Sequence, residues 1–555
     1  MKYRFLSSSW MVALALITAC GSPGPEVPSP IVVLSPETPV AVTGGQVQGS
    51  VSDDNPDVMA FKGIPFAAPP VGELRWRPPE PVVAWEGVRD ATTPGSICMQ
   101  GASEGQSEDC LFLNVWAARE PMERRPVMVW IHGGGFVIGS GSSPLFDGTR
   151  LASRGVVVVT LSYRLGAFGF MAHPLLSAES AHDSSGNYGL LDMVAALEWV
   201  RDNAAAFGGD PERVTIFGES AGAGAVMSVM LMPQSRGLFH RAIAESSFIN
   251  GWDRRLRESF GDSPSVESQG IAVAEAMGAT GDDALLTMRA VTPAEVFTAV
   301  NAVLPDLMTA GSSGFGWAPN VDGWVFPDDP ILMYANGQQH QVPLITGING
   351  NEGSLMTGQM PMDNVEAFET YVRNTYPSVA EQALALYAVS SPEEAKPGVD
   401  HIFHDMWFAG PLRTLATSHA KTAPVWLYHF TLVPPTAMGS SLGSHHAAEI
   451  FYVFGNLIDR SSVPEGSPPN PMNVGDWTET DRRVTAAMMD HWVQFASTGN
   501  PNRDGLIEWP EFDEVDQHLT FGDPIQVDTG LHVAGSELYD AYQANRRQIS
   551  ATEMH

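Results

Sequence analysis

The chain has 555 residues, of which 44% are apolar and 17% charged, a composition that supports a sizeable folded core and excludes a disordered protein. Its formal net charge at pH 7 is -33. This charge repels phosphate backbones, and no basic patch interrupts the acidic sequence, which argues against nucleic acid as a partner.

The first 42 residues resemble an export signal followed by a tether. Residues 1–19 join the basic start MKYR to the short apolar run WMVALALI, which is typical of a secretion signal and too short to span a bilayer. Cys20 ends LITAC, which resembles a bacterial lipobox; the alternative is an ordinary cleaved signal with an incidental cysteine. Residues 20–42 are rich in proline, which keeps a chain extended. We expect an exported protein, anchored to the bacterial cell envelope by a lipid on Cys20 as its one membrane contact, or otherwise secreted.

Two further cysteines, Cys98 and Cys110, lie close together in the chain. An exported protein meets oxidising conditions, which favours a disulfide, and closing so short a loop stabilises a fold by roughly 3 kcal/mol on the chain-entropy model. The alternative is metal binding, although two cysteines without nearby histidines make a poor zinc site. We expect neither a metal nor an organic cofactor.

Strand-like and helix-like stretches alternate from residue 43 to about residue 550, which favours one α/β domain. Continuous apolar or β-branched runs predict strands that are buried on both faces of a sheet. These runs are residues 127–132, 156–163, 214–217, 343–348 and 423–430. The segment between the second and third runs carries an apolar helical face and predicts a helix that stops at Gly208.

The pattern G-x-S-x-G occurs three times, at residues 101–105, 218–222 and 439–443. A nucleophilic serine in this pattern requires a strand before it and a helix after it, and only the second match has both. The helix start also directs its positive dipole to the place where negative charge would develop. We therefore predict that Ser220 is a nucleophile and that the other two matches are turns.

A serine hydroxyl is a weak nucleophile, so it needs a base, a group that orients the base, and donors for the oxyanion. HGGGF, at residues 132–136, directly follows a predicted buried strand. In this position consecutive glycines allow backbone amides to approach a substrate carbonyl oxygen; the alternative is a flexible glycine loop.

Several motifs together connect the chain to a known family. FKGIPFAAPPVGELRWRPPEP, SEDCLFLNVW, HGGGF, GESAGA, GINGNEGS and HAAEIFYVFGN occur in the family's order. With them the chain resembles the type B carboxylesterases, which include the cholinesterases and the bacterial p-nitrobenzyl esterases. The resemblance implies that residues 43–550 form a single α/β-hydrolase domain, with a large, mixed, mostly parallel central sheet flanked by helices.

The resemblance also implies a catalytic triad. Ser220 is its nucleophile, and Glu352, in GINGNEG, is its acid. The family places the base three residues before the glutamate of E-I-x-x-V-F-G, which is Glu449 here and selects His446. The adjacent His445 is then a neighbour that could line the pocket.

The resemblance assigns the oxyanion donors to the backbone amides of Gly134, Gly135 and Ala221. It also implies supporting roles near the triad for Glu219 and Ser246, although Glu219 could equally face solvent from its turn. It pairs Cys98 with Cys110, and it implies an ion pair between Arg75 and Glu108 that pins the disulfide loop.

The implied activity is that of a serine carboxylesterase, which hydrolyses small-molecule esters through an acyl-enzyme. The segment between the two cysteines, MQGASEGQSED, has no aromatic residue for a cation–π contact with a choline head group. We therefore expect short-chain or aromatic esters rather than choline esters as substrates. The alternatives are a non-catalytic adhesion protein of the same fold, or an amidase or lipase with the same triad.

Overall fold

The computed structural model describes residues 32–101, 103–120, 124–247, 254–260, 263–304, 316–463 and 472–548. The predicted signal, Cys20 and the first part of the predicted tether lie outside these ranges, so they stay predictions. No helix in the described part of the chain is both long and apolar enough to cross a membrane.

The strands and helices alternate along most of the chain. The strands are β1 (Val40–Val42), β2 (Gly45–Gln48), β3 (Ser50–Val51), β4 (Val58–Pro65), β5 (Val88–Asp90), β6 (Ile97–Cys98), β7 (Gln106–Ser107), β8 (Phe112–Ala118), β9 (Arg125–Ile131), β10 (Val157–Leu161), β11 (Gly209–Glu219), β12 (Arg241–Glu245), β13 (Leu344–Asn349), β14 (Val425–Phe430), β15 (Ile458–Asp459), β16 (Val474–Gly475), β17 (Gln517–Phe521) and β18 (Gln526–Thr529). The helices are α1 (Thr149–Ala152), α2 (Gly166–Phe170), α3 (Pro174–Glu179), α4 (Tyr188–Asn203), α5 (Ala221–Val229), α6 (Val266–Ala276), α7 (Ala284–Ala290), α8 (Pro293–Val303), α9 (Pro330–Ala335), α10 (Gly353–Met356), α11 (Val365–Thr375), α12 (Ala380–Leu386), α13 (Pro392–His404), α14 (Gly410–Ala420), α15 (Ala437–Leu442), α16 (Ile450–Val453), α17 (Glu479–Thr498) and α18 (Val533–Arg547).

An eleven-stranded mixed sheet forms the centre of the molecule, in the order β18-β17-β14-β13-β12-β11-β9-β10-β8-β4-β3. Its middle, from β17 to β10, is parallel, whereas β8, β4, β3 and β18 pair antiparallel at its two sides. The predicted large, mostly parallel sheet is therefore confirmed. Each of the five apolar runs contributes a strand to its parallel part: β9, β10, β11, β13 and β14.

Two hydrophobic cores cover the two faces of this sheet. In β9 the side chains of Val127 and Val129 point into one core, which also contains apolar residues of α4 and α5. Those of Met128 and Trp130 point into the other, with apolar residues of α16 and α17. Because alternate residues of a strand face opposite sides, a strand covered on both sides must be apolar at every position.

Three boundaries differ from the sequence-based predictions. The helix predicted to stop at Gly208 is α4, which ends at Asn203. A 3-10 turn continues it to Gly208, whose backbone is left-handed. The third G-x-S-x-G match, at residues 439–443, overlaps the short helix α15 rather than a turn, because the Thr436 side chain caps the helix start. Ordered structure also begins before residue 43, since β1 pairs with β2 and Leu34 is buried.

Candidate active site

Ser220 occupies a sharp turn between β11 and α5. Its backbone has φ 58 and ψ -124, a conformation that costs a non-glycine residue about 1–3 kcal/mol and that is found mainly at functional sites. A Cβ atom would lie 2.1 Å from the Ile131 carbonyl oxygen if added to Gly222, and 2.5 Å from it if added to Gly218. The Ser220 amide donates to the carbonyl oxygen of Glu245 at 2.9 Å. The two glycines are thus required by the close approach of β9 to the turn.

His446 and Glu352 are buried and share a short hydrogen bond. The distance from His446 Nδ1 to Glu352 Oε2 is 2.6 Å, although the two residues lie 94 positions apart in the chain. The second carboxylate oxygen of Glu352 accepts hydrogen bonds from the Asn349 amide and the Ser246 hydroxyl, each at 2.6 Å. The ring of His445 bonds instead to the backbone oxygen of His446. The structure therefore brings His446, and not His445, to the acid.

The other ring nitrogen of His446 faces a second carboxylate. His446 Nε2 lies 3.1 Å from Oε1 of Glu219, the residue before the serine, so the imidazole sits beside the turn. Among the described residues no hydrogen bond joins the Ser220 hydroxyl to the imidazole. The imidazole therefore lies beside the turn that carries Ser220, and of the two hydrogen bonds expected in the triad only the one between acid and base is formed among the described residues.

The glycine loop after β9 lies against the turn. A Cβ atom on Gly133 would come within 3.1 Å of the Ser220 Cβ. Gly134 and Gly135 both have positive φ, 103 and 64, which glycine tolerates best. In the described part of the chain, neither of their amides donates a hydrogen bond. The amide of Ala221, in the first turn of α5, has no intrahelical acceptor.

The charges around His446 act against each other. Burial disfavours its charged form, but the Glu219 and Glu352 carboxylates outweigh burial and raise the pKa of His446 to about 9. Burial raises the pKa of Glu219 well above its usual value, in spite of the nearby imidazole. Burial and the Glu352 charge raise the pKa of Glu449 to about 7. Several buried carboxyl groups therefore lie near the His446 imidazole, and their mutual repulsion disfavours the ionisation of each.

A disulfide joins Cys98 to Cys110, as the sequence predicted. Arg75 makes a double hydrogen bond to the carboxylate of Glu108, at 2.6 Å from Nε and 2.5 Å from Nη2. A two-pronged contact of this kind is stronger and more directional than a single one. The implied ion pair that pins the disulfide loop is therefore present.

The sequence profile of the Carboxylesterase family matches residues 36–537 of the chain. The chain belongs to the carboxylesterase family. The esterase is 36% identical to the fumonisin B1 esterase of Sphingopyxis macrogoltabida over 88% of each chain. It is 35% identical to the para-nitrobenzyl esterase of Bacillus subtilis (strain 168), over 85% of this chain and 91% of that protein. A solved structure titled PNB esterase superposes with a TM-score of 0.76 at 33% identity, covering 90% of this chain and 99% of that one. The protein is a carboxylic-ester hydrolase with the α/β-hydrolase fold.

Two residues connect the acids around the site of the esterase: Ser246, which the resemblance placed near the triad, and Asn349, which was not assigned from sequence. The hydroxyl of Ser246 donates to Glu449 at 3.1 Å as well as to Glu352, and the side-chain amide of Asn349 also donates to Glu449. Asn349 belongs to the GINGNEG motif, so its place beside Glu352 was a usable signal. Ser246 and Asn349 hold the two glutamates at fixed positions in the same network.

Two further contacts come from a segment with no sequence signal. His404, at the end of α13, accepts a hydrogen bond from the Glu352 amide at 3.2 Å through Nδ1. In the π-helical turn Asp405–Ala409 that follows, the Phe408 ring packs on the His446 ring with 4.8 Å between centroids. Both contacts join residues that are distant in the chain, which local patterns do not reveal.

Among the described residues, His404, Asp405 and His532 bring ligand-type atoms within 4.8 Å of one another. Because His404 Nδ1 accepts a hydrogen bond from a backbone amide, its proton resides on Nε2. A metal would need the lone pair of that same nitrogen. The donor set of this cluster therefore does not fit a metal ion, and the His532 ring instead contacts the Asp405 carboxylate at 2.7 Å.

Proposed function

We propose that the esterase hydrolyses carboxylic esters through an acyl-enzyme on Ser220, with His446 as the general base and Glu352 as the acid that orients it. The observation that carries this assignment is the buried 2.6 Å contact between His446 and Glu352, beside a serine on a strained strand-to-helix turn. In the neutral form of the ring, a carboxylate on Nδ1 keeps the proton on that nitrogen, so the lone pair of Nε2 is available to accept a proton.

The reaction has two similar halves. Nε2 of His446 turns from Glu219 to the Ser220 hydroxyl and takes its proton while the oxygen attacks the ester carbonyl. The imidazolium then protonates the leaving alcohol, and the acyl group remains on Ser220. Water repeats the sequence, and the carboxylic acid leaves. Catalytic hydrogen bonds often tighten only in the complex with substrate, so we expect the Ser220–His446 bond to form as the ester binds.

The oxyanion of each tetrahedral intermediate would be held by the amides of Gly134, Gly135 and Ala221. Backbone donors are already oriented before the reaction, so they stabilise developing charge without reorganisation. Removing one donor in comparable hydrolases lowers kcat about 100- to 1000-fold. The start of α5 adds its positive dipole on the same side.

Short-chain and aromatic esters are the substrate class that we propose. The relative named para-nitrobenzyl esterase supports an aromatic alcohol rather than a choline. The lack of an aromatic residue between Cys98 and Cys110 supports the same choice.

The test uses p-nitrophenyl esters of increasing acyl length, together with a p-nitroanilide. We expect the wild-type protein to hydrolyse the short esters fastest and the anilide slowly. An activated p-nitrophenyl phosphonate should add one phosphonyl group, located by peptide mass spectrometry on Ser220. Ser220→Ala should lose both reactions, whereas Ser441→Ala, at the serine of the third G-x-S-x-G match, should retain them. Equal rates for wild type and Ser220→Ala would refute the assignment.

We also propose that the protein is exported and carries a lipid on Cys20 after removal of residues 1–19. The basic start, the short apolar run and LITAC support this location. In a bacterial host, the mature wild-type protein should partition into the detergent phase and show a lipidated N-terminal peptide. Cys20→Ser should move it to the aqueous phase, and an aqueous wild-type protein would contradict the anchor.

A further inference from the structure

The loop that carries two of the proposed oxyanion donors is held in an unfavourable conformation. We call residues 133–139 the oxyanion loop. In it the amides of Val137 and Ile138 both donate to the Gly134 carbonyl oxygen, at 3.1 and 3.0 Å, so the loop folds tightly on itself. Phe136 has φ 61 and Gly139 has φ 118. A left-handed conformation is unfavourable for a non-glycine residue and persists only where surrounding contacts impose it.

One of those surrounding contacts comes from the disulfide loop, residues 98–110. The Gln100 carboxamide binds both backbone groups of Gly139: Nε2 donates to the carbonyl oxygen at 2.9 Å, and Oε1 accepts from the amide at 3.0 Å. Gly139 in turn lies directly on the start of the oxyanion loop, since a Cβ there would be 2.6 Å from the Gly133 oxygen and 2.3 Å from His132 Nδ1. We call the two hydrogen bonds between Gln100 and Gly139 the clamp. The clamp fixes the far end of the oxyanion loop against its beginning.

Gln100 is itself held by the disulfide loop. Its Nε2 also donates to the carbonyl oxygen of Cys98 at 3.0 Å, and its backbone amide donates to the Gln106 side chain at 2.9 Å. Both N–H groups and the oxygen of the carboxamide are therefore engaged in hydrogen bonds. Cys98 is covalently joined to Cys110, so the position of Gln100 depends on an intact disulfide.

We propose that Gln100 is a positioning residue that keeps the oxyanion loop in its donor-ready conformation, and that the Cys98–Cys110 disulfide influences catalysis through this clamp. The proposal deepens the proposed function, since it rests on Gly134 and Gly135 as oxyanion donors. The carboxamide provides both the donor and the acceptor that the two groups of Gly139 require.

The kinetic test compares Gln100→Met with Glu104→Met. Methionine keeps the length of either side chain but forms neither bond to Gly139. Glu104 belongs to the same loop and is exposed, and in the described part of the chain it makes no hydrogen bond to Gln100 or Gly139. We expect Gln100→Met to lower kcat about 10- to 100-fold, less than the loss of a whole oxyanion donor, with KM changed less than about threefold. Phosphonylation of Ser220 should slow in parallel. Glu104→Met should change kcat much less, and an equal fall in both variants would overturn the proposal.

A second measurement does not depend on activity. In Gln100→Met, amides in peptides that cover residues 132–140 should exchange with deuterium at least several-fold faster, while peptides of β11 and α5 keep their wild-type rates. Unchanged exchange in the oxyanion loop would overturn the clamp whether or not the protein hydrolyses esters. Faster exchange in a protein with no esterase activity would refute the proposed function and leave the clamp standing.

The disulfide is tested by mild reduction of wild type and Gln100→Met. Reduction should lower kcat of the wild type in the same direction as Gln100→Met and speed exchange of the oxyanion loop. It should have a smaller effect on Gln100→Met, because both changes act on one contact and their effects are then not additive. Fully additive effects would refute the coupling through Gln100.

Discussion

His446 lies between two carboxylates, one on each ring nitrogen, and this position has opposite consequences for catalysis. In the proposed reaction, the carboxylates would stabilise the imidazolium that forms in both halves. They also raise the pKa of the resting imidazole to about 9, against the effect of burial, which reduces the fraction available as a base at neutral pH. Each unit of pKa corresponds to 1.36 kcal/mol between the two protonation states. We expect ester hydrolysis to increase with pH well above the range of an ordinary histidine.

Glu219→Gln tests this balance. The Glu219 charge favours protonated His446, so its removal should lower the pKa of the base and move the rising limb of kcat/KM against pH to lower pH. At the alkaline plateau kcat should fall, because the imidazolium loses a stabilising charge. Glu508→Gln, at an exposed position, is the matched control and should keep the wild-type profile. A limb that stays in place in Glu219→Gln would contradict the role of this carboxylate.

The turn between β11 and α5 can lie close to β9 because two of its residues are glycines. Gly222→Ala would place a methyl group 2.1 Å from the Ile131 carbonyl oxygen, which is backbone and cannot move aside by a rotamer change. Overpacking of this kind costs about 1–3 kcal/mol or more. We expect a lower melting temperature and a fall in kcat of at least about tenfold, since the serine is displaced with its helix.

Gly358→Ala is the control for that substitution, because its new methyl group would meet nothing closer than 3.5 Å. It should leave both the melting temperature and kcat near their wild-type values. If Gly222→Ala behaved like Gly358→Ala, the close approach of β9 would not be what requires glycine at this turn.

A buried ion pair joins the segment between β10 and α2 to α4, across the interior of the molecule. Arg164 and Asp192 share two hydrogen bonds, at 2.8 and 2.7 Å, and the Arg164 amide donates to the same carboxylate. Both side chains are almost fully buried, at 4% and 0% exposure. Breaking such a pair leaves an uncompensated buried charge, which costs far more than the net contribution of the intact pair.

Asp192→Asn should therefore lower the free energy of unfolding by about 3–5 kcal/mol, measured by urea denaturation. Asp202→Asn breaks the ion pair with Arg201. The side chains of Arg201 and Asp202 are 48% and 50% exposed, so the free energy of unfolding should fall by less than about 1 kcal/mol. Equal costs in the two variants would show that burial does not determine the contribution of the Arg164–Asp192 pair.

Features that depend only on residues close together in the chain could be predicted from the sequence. A strand buried on both faces must be apolar throughout, so β9, β10, β11, β13 and β14 were predictable from short windows. The glycines around Ser220 specify a tight turn for the same local reason. The family motifs extended this to Glu352 and His446, and the structure brings these two side chains together.

Tertiary structure alone decided the contacts between distant segments. Local patterns did not reveal that Glu219 faces the imidazole rather than solvent. They also did not reveal that Phe408 packs on His446, or that Gln100 binds Gly139. These contacts depend on how the loops at the ends of the parallel strands converge. The periodicity of apolar residues indicates which face of a helix or strand is buried. How the loops meet depends on the packing of the whole sheet. For this reason the contacts of the site became visible only in the folded structure.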